Sequence, residues 1–192
     1  MAKLNISDKP VSNIPVLPVG TYPGVVSAIW DIGIQESEYQ GETKQVHQLL
    51  IRVEVNKLIE AEGEYKGKRY APISWITVPR SYSDLSNLVK LCNAVFKRTT
   101  TANEYGVFDT DTLLGGNVTV NVGVTTGGKA KITGFSPAME GMPVLTPELD
   151  ATPQDWVIEQ ARKCIGEYKP AVLTESEAPK PDVGDGADQL PF

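Results

Sequence analysis

Residues 47–55, HQLLIRVEV, place His47, Leu49, Ile51, Val53 and Val55 on one side of an extended chain and Gln48, Leu50, Arg52 and Glu54 on the other. A two-residue period is that of a β-strand with one buried face. Upstream, residues 21–34 (TYPGVVSAIWDIGI) are rich in β-branched and aromatic side chains that suit a pleated surface, with Gly24 and Gly33 placed for a bulge or bend. The polar stretch 35–44 between these strands contains Gly41 and reads as a hairpin loop. Downstream, the charged, turn-forming segment 60–69 reads as a second loop, and the apolar and aromatic run 70–78 as strand three.

The period then changes. Leu85, Leu88, Val89, Cys92, Val95 and Phe96 recur at helical spacing, which predicts a helix of about four turns with Ser81 or Ser83 as N-cap. Residues 99–116 read as irregular, with a helical turn around 109–114. Val118, Val120, Val122 and Val124 then alternate with Asn117, Thr119 and Asn121, and Gly127-Gly128 separates them from residues 129–135, so strands four and five form a hairpin. The order β-β-β-α-β-β predicts a mainly β protein: an OB-fold-like five-stranded Greek-key barrel with one helix between strands three and four. Other small barrels and sandwiches that carry one helix share this order.

Farther on, Thr152-Pro153-Gln154-Asp155 is a helix start, with Thr as N-cap and Pro at the first helical position. A helix with one apolar stripe, Val157, Ala161, Cys164, Ile165 and Tyr168, follows to about Gly166; it either docks on the barrel or self-associates. The expected organisation is an extended arm over 1–18, the barrel over 19–138, a linker and C-terminal helix over 139–169, and a disordered acidic tail over 170–192. The tail is too poor in hydrophobes to bury a core.

Charge is segregated along the chain. The total is −6, yet residues 44–131 hold twelve bases against eight acids, whereas residues 174–192 hold five acids and one base. No apolar run approaches the roughly 20 residues that span a bilayer, and the N-terminus lacks an apolar secretory segment, so the expected place is the cytoplasm. With one histidine (His47) and two cysteines (Cys92 and Cys164, each in a helical pattern) the chain has no usual zinc set, and no cofactor is expected. Nucleotide-binding and hydrolase motifs are missing too, and Asp109 and Asp111 read as turn caps, so an enzyme is not expected.

The last eleven residues, Asp182-Val183-Gly184-Asp185-Gly186-Ala187-Asp188-Gln189-Leu190-Pro191-Phe192, resemble the C-terminal tail of bacterial and phage single-stranded-DNA-binding proteins, a flexible acidic segment closing on an aliphatic residue, Pro and Phe. The common tip in that family is Ile-Pro-Phe; here it is Leu-Pro-Phe, with sparser aspartates. The resemblance implies DNA replication, recombination or repair in a bacterial cell or infected host, with Asp182, Asp185, Asp188, Leu190, Pro191 and Phe192 recruiting partner proteins. Physically, a terminal ring fits an apolar pocket beside a base that binds the α-carboxylate, and Pro191 lowers the ordering cost. The alternative is a solubilising tail whose apolar end is accidental.

Sequence-independent binding of a single strand needs a mildly positive groove and aromatic faces for bases, each stack contributing about 1–3 kcal/mol. Candidate stacking residues are Trp30, Tyr39, Tyr65, Tyr70 and Trp75; candidate phosphate contacts are Lys44, Arg52, Lys66, Lys68, Arg69, Arg80, Lys129 and Lys131. Lys66-Gly67-Lys68-Arg69-Tyr70 is the densest cluster, with a solvated loop as its alternative reading. For each aromatic the alternative is a place in the core, which is preferred outright for Tyr22, Phe96, Phe108 and Phe135. Two other functions fit the same features: an accessory protein whose barrel mainly binds protein, and a phage structural β-barrel. A homo-oligomer is compatible with all three.

Overall fold

The computed structural model describes residues 15–165, apart from 40, 80, 106–108 and 126. The expected tail, most of the N-terminal arm, Arg80 and Phe108 lie outside these residues. Five strands, β1 (Gly20–Tyr39), β2 (Glu42–Val55), β3 (Ile73–Val78), β4 (Asn117–Val124) and β5 (Ala130–Pro137), form one antiparallel sheet in the order β3-β2-β1-β4-β5. The long β1 serves two neighbours: its first residues pair with β4 from Gly20↔Val122 to Val25↔Asn117, and from Gly24 onward it pairs with β2. Register shifts at Val26/Ala28 and Asp31/Ile34 bend it. The sheet curls until its edges, β3 and β5, come into contact, with no ladder joining them among the described residues.

Helix α1 (Asn87–Phe96) packs against β5, β4 and β3. It buries Leu88, Leu91 and Cys92 in a core built from Leu49, Ile51, Val53 and Val55 of β2, Ile76 of β3, Val118, Val120 and Val122 of β4, and Ile132 and Phe135 of β5. A one-turn helix α2 (Ala102–Tyr105) and a 3-10 turn (Thr110–Leu113) connect α1 to β4, and α3 (Asp155–Arg162) packs on β1. Asp109 caps the 3-10 turn through a bond from the Asp111 amide, as read from sequence. Phe135 is buried, and Tyr22 and Phe96 rest half-buried against the same core.

Several boundaries differ from the expectation. Residues 35–44 are mostly strand: the ladder runs through Gln35↔Val46 and Ser37↔Lys44 to Tyr39↔Glu42. Gly41, at φ +79°, takes the left-handed conformation that a tight turn requires. Backbone pairing carries this polar ribbon past the end of the core, so it lacks the apolar alternation that would mark it. Strand three begins at Ile73, later than the expected 70, because Tyr70 bonds back to Lys57 and Val55 in a closed loop.

Helix α1 is shorter than four turns. Its N-cap is Ser86, whose hydroxyl accepts from the Val89 amide, and Leu85 stands outside it, highly exposed. Likewise α3 starts after Gln154 instead of Thr152, because the Thr152 amide bonds to the Asp150 carboxylate in the preceding turn, and it ends at Arg162. At the other end of the chain, Leu17 leaves the expected extended arm and enters the main core.

Burial pushes the Cys92 thiol up to about 11 from an ordinary value of 9.0. The folded pKa is raised, so the neutral thiol's contribution to stability is whole below the unfolded value and is lost as pH rises from about 9 to about 11, where the unfolded thiol ionises first. In native protein at about pH 8, Cys92 is expected to resist alkylation and to react only in denaturant. Peptide mass spectrometry after iodoacetamide treatment checks this; rapid native labelling of Cys92 would refute its placement in the core.

Candidate nucleic-acid interface

The β2 alternation predicts one buried face, and the structure buries both: every residue from Leu49 to Val55 is inaccessible. The odd-numbered side chains enter the main core. On the outer face, Ala28, Trp30, Ile32 and Leu50 form a second, smaller core with Val157 and Ala161 of α3. The docked reading of α3 is thus the one the structure supports.

Residues 145–151 lead to α3 across that outer face as an extended strap, held by sheet side chains that bind its backbone. Asn117 donates to the Leu145 carbonyl (3.0 Å) and accepts from the Leu145 amide (2.7 Å). The fully buried Glu54 carboxylate accepts from the amides of Glu148 (2.9 Å) and Leu149 (3.0 Å). Arg52 donates to the carbonyls of Leu149 (3.2 Å) and Asp150 (2.7 Å), and Trp30 donates from Nε1 to Ala151 (2.9 Å). Arg69 donates to the Thr146 carbonyl (3.0 Å) and pairs with Glu148 (2.7 Å) and, more distantly, with Glu54 (3.9 Å). A buried carboxylate between two guanidinium groups is tolerable here because its lone pairs are also met by amides. Burial lowers the Arg52 pKa, opposed by the attraction of Glu54 and Asp150.

This arrangement sorts the candidate residues. Trp30, 7% exposed and stacked under the Arg52 guanidinium at 5.3 Å, is core and not a free stacking face. Tyr70 is buried in the main core. Arg52 donates from Nε to the Ser27 hydroxyl and from Nη2 to the strap, and Arg69 is held by Thr146 and Glu148 of the strap, so neither side chain is free to turn toward a phosphate without breaking these bonds. Local sequence does not expose this for Trp30, Arg52 or Arg69, because the strap that covers them lies 77 to 121 residues downstream.

The dense loop cluster is also largely committed. Lys66 pairs with Glu62, and Lys68 lies over the Tyr65 ring at 5.1 Å, while Tyr65 itself rests against the main core. Lys44 pairs with Glu42 (3.2 Å). Only the backbone of Tyr39 is described, at the tip of the β1–β2 ribbon. His47 binds Asp31 at 2.7 Å where the ribbon leaves the sheet, a structural role.

Trp75 is different. The register Trp30↔Leu50↔Trp75 sets these three side chains in one row across β1, β2 and β3, grading from buried under α3 to 47% exposed at the edge strand. Its neighbour on the same face, Thr77, is also exposed. Lys129 and Lys131 are exposed at the start of β5, the opposite sheet edge, with no salt bridge among the described residues.

Sequence reasoning missed Glu54, Asn117 and the strap. The signals were an acid in the middle of an apolar strand and an Asn opening another. It also missed Lys90 and Lys97, exposed on α1 and at its C-cap; the seven-residue spacing of two lysines on the polar side of a helical pattern was their trace.

No known family model matches this chain, and no curated protein matches it.

Proposed function

We propose that this protein binds single-stranded DNA, largely without sequence preference, through an OB-type barrel, and recruits partner proteins through the tip Leu190-Pro191-Phe192. The observation that carries the reading is Trp75, a large aromatic half in solvent on an edge strand of a curled five-stranded sheet. An exposed indole on an edge strand offers a π-face that any base can stack on. The barrel assignment is supported by the helix between strands three and four and by the contact of β3 with β5, which an OB barrel leaves partly open. The acidic tail competes weakly with DNA for the basic surface and is displaced when phosphates arrive, so loading exposes the tip.

The test is fluorescence anisotropy of a labelled oligo-dT of about 30 nucleotides, titrated at low and moderate salt with duplex DNA as competitor. Salt-sensitive binding that duplex does not displace is the expected result; no binding at micromolar protein overturns the proposal. Removing residues 174–192 should tighten binding at low salt, and unchanged affinity would remove the tail competition.

One observation favours a second reading, an accessory protein that mainly binds protein. The projecting β1–β2 ribbon carries Glu36, Glu38 and Glu42 against Lys44 alone, and so repels phosphate. On that reading oligo-dT binds weakly while tail-dependent capture of a partner persists.

A further inference from the structure

Acidic residues are distributed by element. Asp31, Glu36, Glu38, Glu42 and Glu54 lie in β1 and β2, whereas β3, α1, β4 and β5 contain no Asp or Glu. The acid-free elements are the ones that meet where the sheet edges touch: α1 packs against β3, β4 and β5, so it lies along the seam between the two edges. Asn87, Lys90 and Lys97 are exposed on or at the end of this helix, opposite its buried Leu88, Leu91 and Cys92. Lys129 and Lys131 are exposed at β5.

None of these four lysines has a carboxylate partner among the described residues. The acids nearest α1 in the chain are already engaged, Asp84 by the Tyr82 hydroxyl and Glu104 by Arg98 at 2.7 Å. Lys44, Lys66 and Arg69 are the reverse case, since a phosphate approaching them must first displace a carboxylate. A lysine with no partner releases only counterions when it meets a phosphate, which is the main source of affinity for a nucleic-acid backbone. Elsewhere the cations without a salt bridge among the described residues are dispersed: Lys68 over the Tyr65 ring, Lys57 half-buried beside β2, and Arg162 and Lys163 at the end of α3.

Resting on the proposed function, we infer that the single strand follows the seam between β3 and β5 across α1, with its phosphates on Lys90, Lys97, Lys129 and Lys131 and a base on Trp75. The outer face of β1–β2 is closed to it by the strap, and the acidic ribbon turns it away from the far end of the sheet.

The experiment compares full-length K90E/K97E with R162E/K163E, which changes net charge equally at a surface remote from the seam, using labelled oligo-dT over a series of salt concentrations. K90E/K97E is expected to weaken binding at least about tenfold more than the control, and the neutral K90Q/K97Q to reduce the log–log salt slope by about 1.4, the value for two lost phosphate contacts at about 0.7 each. All three variants alter exposed side chains, and far-UV circular dichroism with thermal melting verifies that they fold. If the parent binds and K90E/K97E tracks R162E/K163E, the path along the seam is wrong while the proposed function stands. If the parent does not bind at all, the proposed function fails and this inference falls with it.

Discussion

Glu54→Ala is expected to destabilise the protein by about 3–5 kcal/mol, the range for removing one member of a buried charge network. The carboxylate is fully buried, and its loss would leave the Glu148 and Leu149 amides without acceptors and the Arg52 and Arg69 guanidinium groups without their central counter-charge. A solvent-accessible acid at the same position of a strand would cost almost nothing. Urea unfolding of parent and variant measures the difference, and a loss below about 1 kcal/mol would refute the central role of Glu54 in holding the strap. The defect should have a local signature. With the strap loosened, Trp30 gains access to water, so the folded variant's tryptophan emission should shift to the red before global unfolding.

Trp75→Ala should do the opposite. Stability should fall by only about 1–2 kcal/mol, less than for a buried tryptophan, since half of the side chain stands in solvent. Affinity for oligo-dT should fall by about 5- to 150-fold, the equivalent of one lost stack at 1–3 kcal/mol. Trp30→Ala is the informative counterpart: as a buried large-to-small change it should cost about 3–5 kcal/mol of stability. An anisotropy titration of Trp75→Ala that overlays the parent's would remove Trp75 from the interface.

The contrast between these tryptophans marks how far the sequence could be read. The period-2 alternations over residues 47–55 and 118–124 and the helical spacing from Leu88 to Phe96 are local signals, and each corresponds to an element found. What failed depended on distant chain. Trp30 and Trp75 sit in similar apolar, β-branched surroundings, and only the course of residues 145–162 decides which is covered. The same holds for Arg52 and Arg69, whose partners in the strap are 77 to 98 residues away. Residues 35–44 read as a loop for another reason: the ladder they form is held by backbone bonds between polar residues, which leave no hydrophobic period.

Cation clustering along the chain says equally little about pairing in the fold. Lys66 and Arg69 are paired with carboxylates and Lys68 lies over the Tyr65 ring, whereas the more widely spaced Lys90, Lys97, Lys129 and Lys131 have no salt bridge among the described residues. Density of like charge along a chain is a weaker guide to surface potential than the lack of nearby acids, because a bridged lysine contributes little field at a distance.

The strap also orders events during synthesis. Trp30 and Gln35 meet their partners at Ala151 and Gln160 across separations of 121 and 125 residues. A nascent chain that has cleared the ribosome only as far as β5 already owns all five strands and α1, yet its Glu54 and Arg52 have no strap to bind and the Trp30 face is wet. Contacts this distant along the chain form last and slowly, so the half-made protein passes through a stage that presents an apolar, charged sheet face to solvent or to a chaperone until residue 161 arrives to close it.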